Sequence, residues 1–203
     1  MAMRYALLVL AALTIGMPSS RLSAEVVVGV LVDGPWEHNK EITRAFEQEI
    51  LSLTGREFDV VMPPGKRITG DWTVGSVSRG LDQLLQDPEV DLIIAAGVLG
   101  SNEAGHRGAF LKPVIAPFVI NAGLHGIPLK EGASGVKNFT YVAFPSDVVH
   151  NIQIFQSVVP FNRMAYLYTP PVIEAIPELI PNLTRAVSRF GAPDRFCSDP
   201  GRC

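Results

Sequence analysis

The feature that most constrains the fold of this chain is a series of short apolar runs separated by helical patterns. Residues 26–32 are apolar and rich in β-branched side chains, which is typical of a strand buried on both faces of a parallel sheet. Further runs of this kind lie at residues 58–62, 92–96, 113–120, 139–144 and 163–168. Between most of them, apolar residues recur at steps of three and four, which predicts amphipathic helices. This alternation predicts an α/β fold with a doubly wound parallel sheet.

The first 24 residues have the pattern of a secretory signal peptide. Arg4 precedes an apolar run at residues 5–15, and small residues come before Ala24. We therefore predict a signal peptide over residues 1–24, cleavage after Ala24 and a mature protein in the periplasm. The apolar run is shorter than the about 20 residues that span a bilayer, so no stable membrane span is expected after cleavage. A short N-terminal anchor is the alternative.

Composition limits the classes of partner. The chain is 47% hydrophobic, enough for a buried core, and its net charge of −3 argues against nucleic acid, which selects a basic surface. Both cysteines, Cys197 and Cys203, lie in the last seven residues, where export would permit a disulfide. Two free thiols are the alternative, and the predicted core depends on neither state.

Small and polar residues come after the predicted strands, where α/β proteins bind ligands. Right-handed crossovers place the loops after parallel strands at one edge of the sheet, the carboxyl edge. The backbone N–H groups of residues 97–101, at the start of a helix, suit a carboxylate. We predict that Asp33 accepts from an amine and that Ser101 adds a hydroxyl. Trp36 and Phe118 would supply apolar walls. The candidate ligand-binding residues in these loops are Asp33, Gly34, Trp36, Gly97, Gly100, Ser101, Asn121 and Ala122.

The sequence lacks the known motifs for nucleotide binding and for hydrolysis. A phosphate-binding loop needs a lysine that does not follow Gly97, and the first strand lacks the G-x-G-x-x-G fingerprint of dinucleotide binding. A nucleophile elbow needs G-x-S-x-G, whereas Ser101 directly follows a glycine. Asp147 and His150 lie on one helical turn, which favours solvent exposure over catalysis. We predict no catalytic residue and no cofactor, with a periplasmic hydrolase as an alternative.

Three histidines suggest a further alternative. His38, His106 and His125 each come after a predicted strand, so all three could approach the carboxyl edge of the sheet. Three imidazoles with an open position form a known zinc site. Three unrelated loop histidines are equally compatible with the pattern, which lacks a closely spaced pair. We predict no metal and keep a histidine-based metal site as an alternative.

Residues 139–169 carry a more specific pattern. The strand FTYVAF is followed by the turn PSD, a helix that ends near Pro160, the basic residue Arg163 and the strand MAYLY. This order resembles the crossover in periplasmic solute-binding proteins of ABC uptake systems, the type I class with two Rossmann-like lobes. Residues 87–97, DPEVDLIIAAG, are similar to the same class. The closest similarity is to ABC substrate-binding proteins, some of which bind aromatic amino acids.

The resemblance implies a domain organisation and one more site residue. It divides the chain into a signal peptide (1–24), lobe one (25–145), a crossover helix and hinge (146–160), the start of lobe two (161–190) and an irregular tail (191–203). Lobe two would contribute Thr169 to the ligand. Two lobes of about 100 to 150 residues each need a longer chain than the residues after Ala24 provide, so we expect a truncated chain with an incomplete second lobe. Residues 161–203 should then expose apolar surface.

These observations together predict the extracytoplasmic solute-binding component of an ABC transport system, and not an enzyme. The resemblance implies that a small polar or amphipathic, amino-acid-like solute is held between two lobes without covalent chemistry. The partner would be an ABC permease in the inner membrane. A periplasmic sensory or accessory domain that binds a protein partner is the main alternative.

Overall fold

The computed structural model describes residues 25–35, 37–55, 57–143, 148–161, 163–189 and 194–197. The predicted signal peptide lies outside these residues, as do Trp36, Asp147 and Cys203. The strands are β1 Glu25–Val32, β2 Asp59–Val61, β3 Arg67–Thr69, β4 Leu92–Ala96, β5 Val114–Val119, β6 Leu129–Lys130, β7 Ala133–Ser134, β8 Phe139–Ala143, β9 Met164–Leu167 and β10 Asp194–Cys197. The helices are α1 Glu37–Thr54, α2 Val74–Gln86, α3 Val98–His106, α4 Val148–Val158, α5 Pro170–Ala175 and α6 Leu179–Ser188.

The main sheet is parallel and confirms the predicted doubly wound topology. Its strand order is β2-β1-β4-β5-β8. β3 also pairs with β1, beside the last residues of that strand, whereas β2 pairs with the first ones. The chain runs outward from β1 to β2 and β3 and then returns across β1 to β4, so the direction of winding reverses between β1 and β4. In such sheets the crevice at the carboxyl ends of these two strands is the usual ligand site.

Alternate residues of the central strands pack on opposite faces of the sheet. Leu31 and Ile93 are fully buried in the cluster that α2 and α3 share with the sheet. Val30 and Ile94 lie on the other face, where Ile50 of α1 packs against them. Both faces of β1 and β4 are therefore covered, which explains why these strands are apolar throughout.

Local signals mark the ends of two helices. The Thr73 hydroxyl accepts the N–H of Ser76 at 3.1 Å and so caps the start of α2. That helix ends at Gln86, two residues before Pro88, and α1 ends at Thr54, directly before a glycine. These ends fall where proline and glycine stop a helix.

A second, smaller group of elements comes after the main sheet in the chain. β9 pairs in parallel with β10, and Ile152, Ala186 and Val187 form a separate buried cluster between α4 and α6. β10 shows that residues 194–197, within the predicted irregular tail 191–203, form a strand; the rest of that tail lies outside the described residues. Its four residues, DRFC, have no period of their own, and the hydrogen bonds that make them a strand come from β9, far away in the sequence.

Apolar side chains are exposed around this second group. α4 and the residue after it expose Ile154, Phe155, Val158 and Val159 by half or more, and Leu167 of β9 is 67% exposed. Within the segment 161–203, where exposed apolar surface was expected, Leu167 is the one exposed large apolar side chain among the described residues. Others lie on α4 and in the main group of elements, where Leu111 is 99% exposed.

The short helix α5 joins the two groups of elements. The Asn102 side chain donates from Nδ2 to the carbonyl of Ala175 at 3.0 Å, and Val172 packs against the main core. Ile176, just after α5, is 1% exposed. The break between α5 and α6 contains Pro177, whereas Pro181 lies in the first turn of α6, where proline costs no helical hydrogen bond.

Among the described residues, no helix is both long and apolar enough to cross a membrane.

Candidate functional site at the carboxyl edge of the sheet

Asp33, the first residue after β1, closes the crevice between β1 and β4. Its side chain is 6% exposed. Oδ2 accepts the N–H of Leu99 and Oδ1 accepts the N–H of Gly100, each at 2.9 Å. These donors belong to the first turn of α3, whose N-cap residue, Gly97, has no side chain to satisfy them. Asp33 therefore caps a helix that begins 65 residues later in the chain.

The electrostatics of Asp33 reflect two opposed effects. Burial raises the pKa of the Asp33 carboxyl above its ordinary value, because the charged form loses water. The hydrogen bonds from Leu99 and Gly100 oppose that rise by stabilising the carboxylate. The positive end of α3 acts in the same direction as these hydrogen bonds.

Gly97 is needed for this arrangement. A Cβ atom at position 97 would lie 2.2 Å from the carboxylate of Asp33, closer than any real contact. Any other residue there would displace Asp33 from the amides of α3. The glycines in this loop thus make room for a side chain of the protein itself.

The predicted cradle of amides exists, but the structure corrects its occupant. The N–H groups of Leu99 and Gly100, which were expected to bind a ligand carboxylate, bind Asp33 instead. Asp33 was expected to accept from an amine of the ligand. Each of its oxygens accepts one backbone N–H and, as a carboxylate oxygen, has a second lone pair, so this role stays a prediction. The sequence pattern identified these groups as neighbours but did not predict the bonds between them.

Ser101 and Phe118 are structural in this fold. The Ser101 hydroxyl is fully buried, donates to the carbonyl of Ala95 and accepts the N–H of Phe118, both at 3.2 Å. It thereby ties α3 to the ends of β4 and β5, and it offers no nucleophile for hydrolysis. The ring of Phe118 packs edge-on against Phe46 of α1 at a centroid distance of 6.0 Å, so it belongs to the core and not to an open wall.

The remaining candidates lie further along the edge. The exposed Asn121 side chain accepts the N–H groups of Gly123 and Leu124 at 2.9 and 3.1 Å, which fixes the turn after β5. Ala122 is partly buried against the main core. Thr169 is the exposed N-cap residue of α5 and makes no side-chain cap. Trp36 lies outside the described residues, and Gly34 follows Asp33 directly.

Trp72 is an aromatic residue at this edge that the sequence patterns do not predict. Its φ angle is +67°, in the left-handed region that side chains other than glycine rarely adopt. Its N–H donates to the carbonyl of Asp33 at 2.9 Å, and its ring covers Gly34 so closely that a Cβ there would lie 2.4 Å from ring atoms. The Trp72 side chain is still 42% exposed. Residues in such strained backbone conformations cluster at ligand-binding and active sites.

The histidines do not assemble into a metal centre within the described residues. His125 is 1% exposed, and its Nε2 accepts the N–H of Ile120 at 3.2 Å, so that lone pair is already used. Nδ1 of His106 lies 2.9 Å from the carbonyl of Asn102. The side chain of His38 is outside the described residues. Burial, and then the charge of His106, lower the pKa of His125 to about 4.

No protein-family model and no curated protein matches this chain. Solved structures do match. The ABC domain from Streptococcus pneumoniae in complex with L-Trp aligns over 87% of this chain and 58% of its own, with a TM-score of 0.65 and 14% identity. A conserved domain protein from Vibrio cholerae aligns over 86% and 57%, with a TM-score of 0.60 and 14% identity. A periplasmic binding protein type 1 from Bordetella pertussis aligns over 88% and 50%, with a TM-score of 0.56 and 13% identity.

These matches show that the chain has the α/β fold of periplasmic binding proteins of type 1. The chain spans about half the length of the solved structures that it matches. At 12–14% identity the similarity is one of fold, and it carries no assignment of ligand or partner.

Proposed function

We propose that this protein is the solute-binding component of an ABC transport system and that it holds an amphipathic, amino-acid-like solute without covalent chemistry. The observation that carries the proposal is Trp72, whose exposed ring covers Gly34 at the carboxyl edge of β1 in a strained backbone conformation. An exposed aromatic face beside the β1–β4 crevice suits the apolar part of such a solute.

Two of the matched structures support the choice of solute class. One is in complex with L-Trp, and an ABC transporter substrate-binding protein from Desulfitobacterium hafniense, with a TM-score of 0.51, is in complex with Leu. Both ligands combine an apolar side chain with a zwitterionic end. The signal-like N-terminus supports a periplasmic location, and the partner implied by this proposal is an ABC permease.

Calorimetric titration of the full chain with L-Trp and L-Leu tests the proposal. We expect saturable binding, tighter for L-Trp, and a loss of about tenfold in L-Trp affinity for Trp72→Ala because aromatic contact is removed. The matched control is Phe58→Ala, which removes another exposed aromatic side chain beside β2, at the opposite edge of the sheet. No binding of either amino acid, or equal effects of the two substitutions, would contradict the proposal.

A further inference from the structure

A cavity of about 390 Å³ lies between the first half of α1 and the carboxyl ends of β1 and β3. Gly34 and Pro35 border it, and Val30 and Val32 give it an apolar part. Its volume falls within the range of small-molecule sites, about 300 to 1,000 Å³. The ring of Trp72 covers Gly34, which borders the cavity. The cavity therefore adjoins the aromatic face at the edge of the sheet.

The charged side chains around the cavity are mostly positive. Lys40, Arg44 and Arg67 line it together with one carboxylate, Glu47, so three positive charges meet one negative charge. Glu47 forms an ion pair with Arg67, and Lys40 pairs at 2.9 Å with the exposed Glu37, which is not part of the lining. Arg44 makes no ion pair or hydrogen bond with any residue of the described ranges. The cavity therefore holds a guanidinium that is available to an anion.

The first turn of α3 does not offer free amides to the anionic end of a solute. The amides of α3, the usual site for a carboxylate in this fold class, are occupied by Asp33, which also adds a negative charge. A solute carboxylate in the crevice itself would meet this buried carboxylate. The positively charged cavity is bordered by Gly34, and the ring of Trp72 contacts that same glycine.

We propose that the cavity between α1 and β3 binds the anionic group of the solute, a carboxylate or a similar oxyanion, with Arg44 as its principal partner. The inference rests on the proposed function and adds the place and charge of the recognised group. The apolar part of the solute lies against Trp72, and its anionic group reaches past Gly34 to the guanidinium of Arg44.

A pair of probes with the same ring isolates the charge. Indole-3-acetate carries a carboxylate, and indole-3-acetamide carries a neutral amide in its place. Titration at constant ionic strength should show the acetate binding about tenfold more tightly, since hydrogen bonds between charged groups are the stronger ones. Arg44→Gln should abolish that preference. Arg79→Gln removes an exposed arginine on α2, away from the cavity, and should leave the preference unchanged.

A second measurement tests the anion site in the cavity independently of the proposed solute. Inorganic phosphate, compared with sodium chloride of equal ionic strength, should raise the melting temperature of the wild type and of Arg79→Gln but not of Arg44→Gln. If phosphate acts in this way while no indole compound or amino acid binds, the anion site stands and the proposed function fails. If L-Trp binds but neither the acetate preference nor the phosphate effect depends on Arg44, the proposed function stands and the anion site is overturned.

Discussion

At the scale of single residues, His125 is the clearest example of a side chain held in one charge state by its surroundings. It is 1% exposed, it accepts the N–H of Ile120 through Nε2, and its pKa is lowered from 6.5 to about 4, first by burial and then by the charge of His106. The folded protein thus keeps this imidazole neutral in a range where the unfolded chain protonates it.

This shift predicts a loss of stability in mild acid. Because the unfolded state binds the proton more tightly, the contribution of His125 is fully present above pH 6.5 and is lost as the pH falls toward 4. Between pH 7 and pH 5 the free energy of unfolding should fall by about 2 kcal/mol from this residue. Urea unfolding of the wild type and of His125→Gln, whose amide oxygen can accept the same N–H, measures the difference at each pH.

The control for that prediction is His150→Gln, which removes an exposed imidazole on α4. It shows whether the loss of stability in acid depends on His125 or follows the removal of any histidine. A His125→Gln variant that loses as much stability between pH 7 and pH 5 as the wild type does would refute the assignment to His125.

The contacts of three residues at this edge could not be predicted from the sequence. Asp33 and Gly97 were recognised as residues of the edge, but the bond from the side chain at position 33 to the amides after position 97 depends on a sheet register that no local pattern encodes. Trp72 was missed because β3, which brings it back to β1, is only three residues long and has no periodicity of its own. Its left-handed backbone conformation gives no signal in the sequence.

At the scale of elements, the pattern of apolar residues was sufficient to predict the bounds of a strand that is long or fully buried. β1, β4 and β5 were predicted within one residue of their observed bounds, because burial on both faces of a strand dictates the residue types. β10 could not be predicted, since its strand character comes from pairing with β9.

The cap of α3 gives a prediction at this scale. Asp33→Asn replaces one carboxylate oxygen by an NH₂ group, which cannot accept the second N–H of α3, so a buried donor loses its partner. We expect the free energy of unfolding to fall by about 1–3 kcal/mol, measured by urea denaturation at pH 7.

Asp91→Asn is the matched control for the cap. Asp91 also accepts a backbone N–H, that of Val27 at 2.9 Å, but it does so at the exposed amino end of the sheet. Its replacement should cost clearly less than that of Asp33, because the one oxygen that an Asn side chain keeps can still accept the N–H of Val27. Equal losses for the two variants would contradict the cap in which both oxygens of Asp33 accept an N–H of α3.

At the scale of the whole molecule, the described residues form buried clusters of very different extent. The large one covers one face of the main sheet together with α2 and α3, and includes Ile93 and Val114. A second one covers the other face of that sheet. The small one is separate from the main sheet and consists of Ile152, Ala186 and Val187 with a few partly buried neighbours. The hydrogen bond from Asn102 to Ala175 ties α5 to α3.

This difference predicts unequal protection in amide hydrogen exchange. Amides of β4 and β5 should exchange only through global unfolding, whereas those of β9, α4 and α6 should exchange through a local opening of lower free energy. Exchange measured by mass spectrometry on peptides that cover 92–96 and 164–167 gives both values in one experiment. Equal protection of β4 and β9 would mean that the small cluster is as cooperative as the large one.

The bond from Asp33 to α3 also has a consequence for the order of events during folding. α3 is short, contains two internal glycines and lacks a side chain of its own at the cap, so it has little tendency to form alone. Its capping carboxylate comes into place only when β1 pairs with β4. We therefore expect α3 to become stable together with that strand pair and not before it.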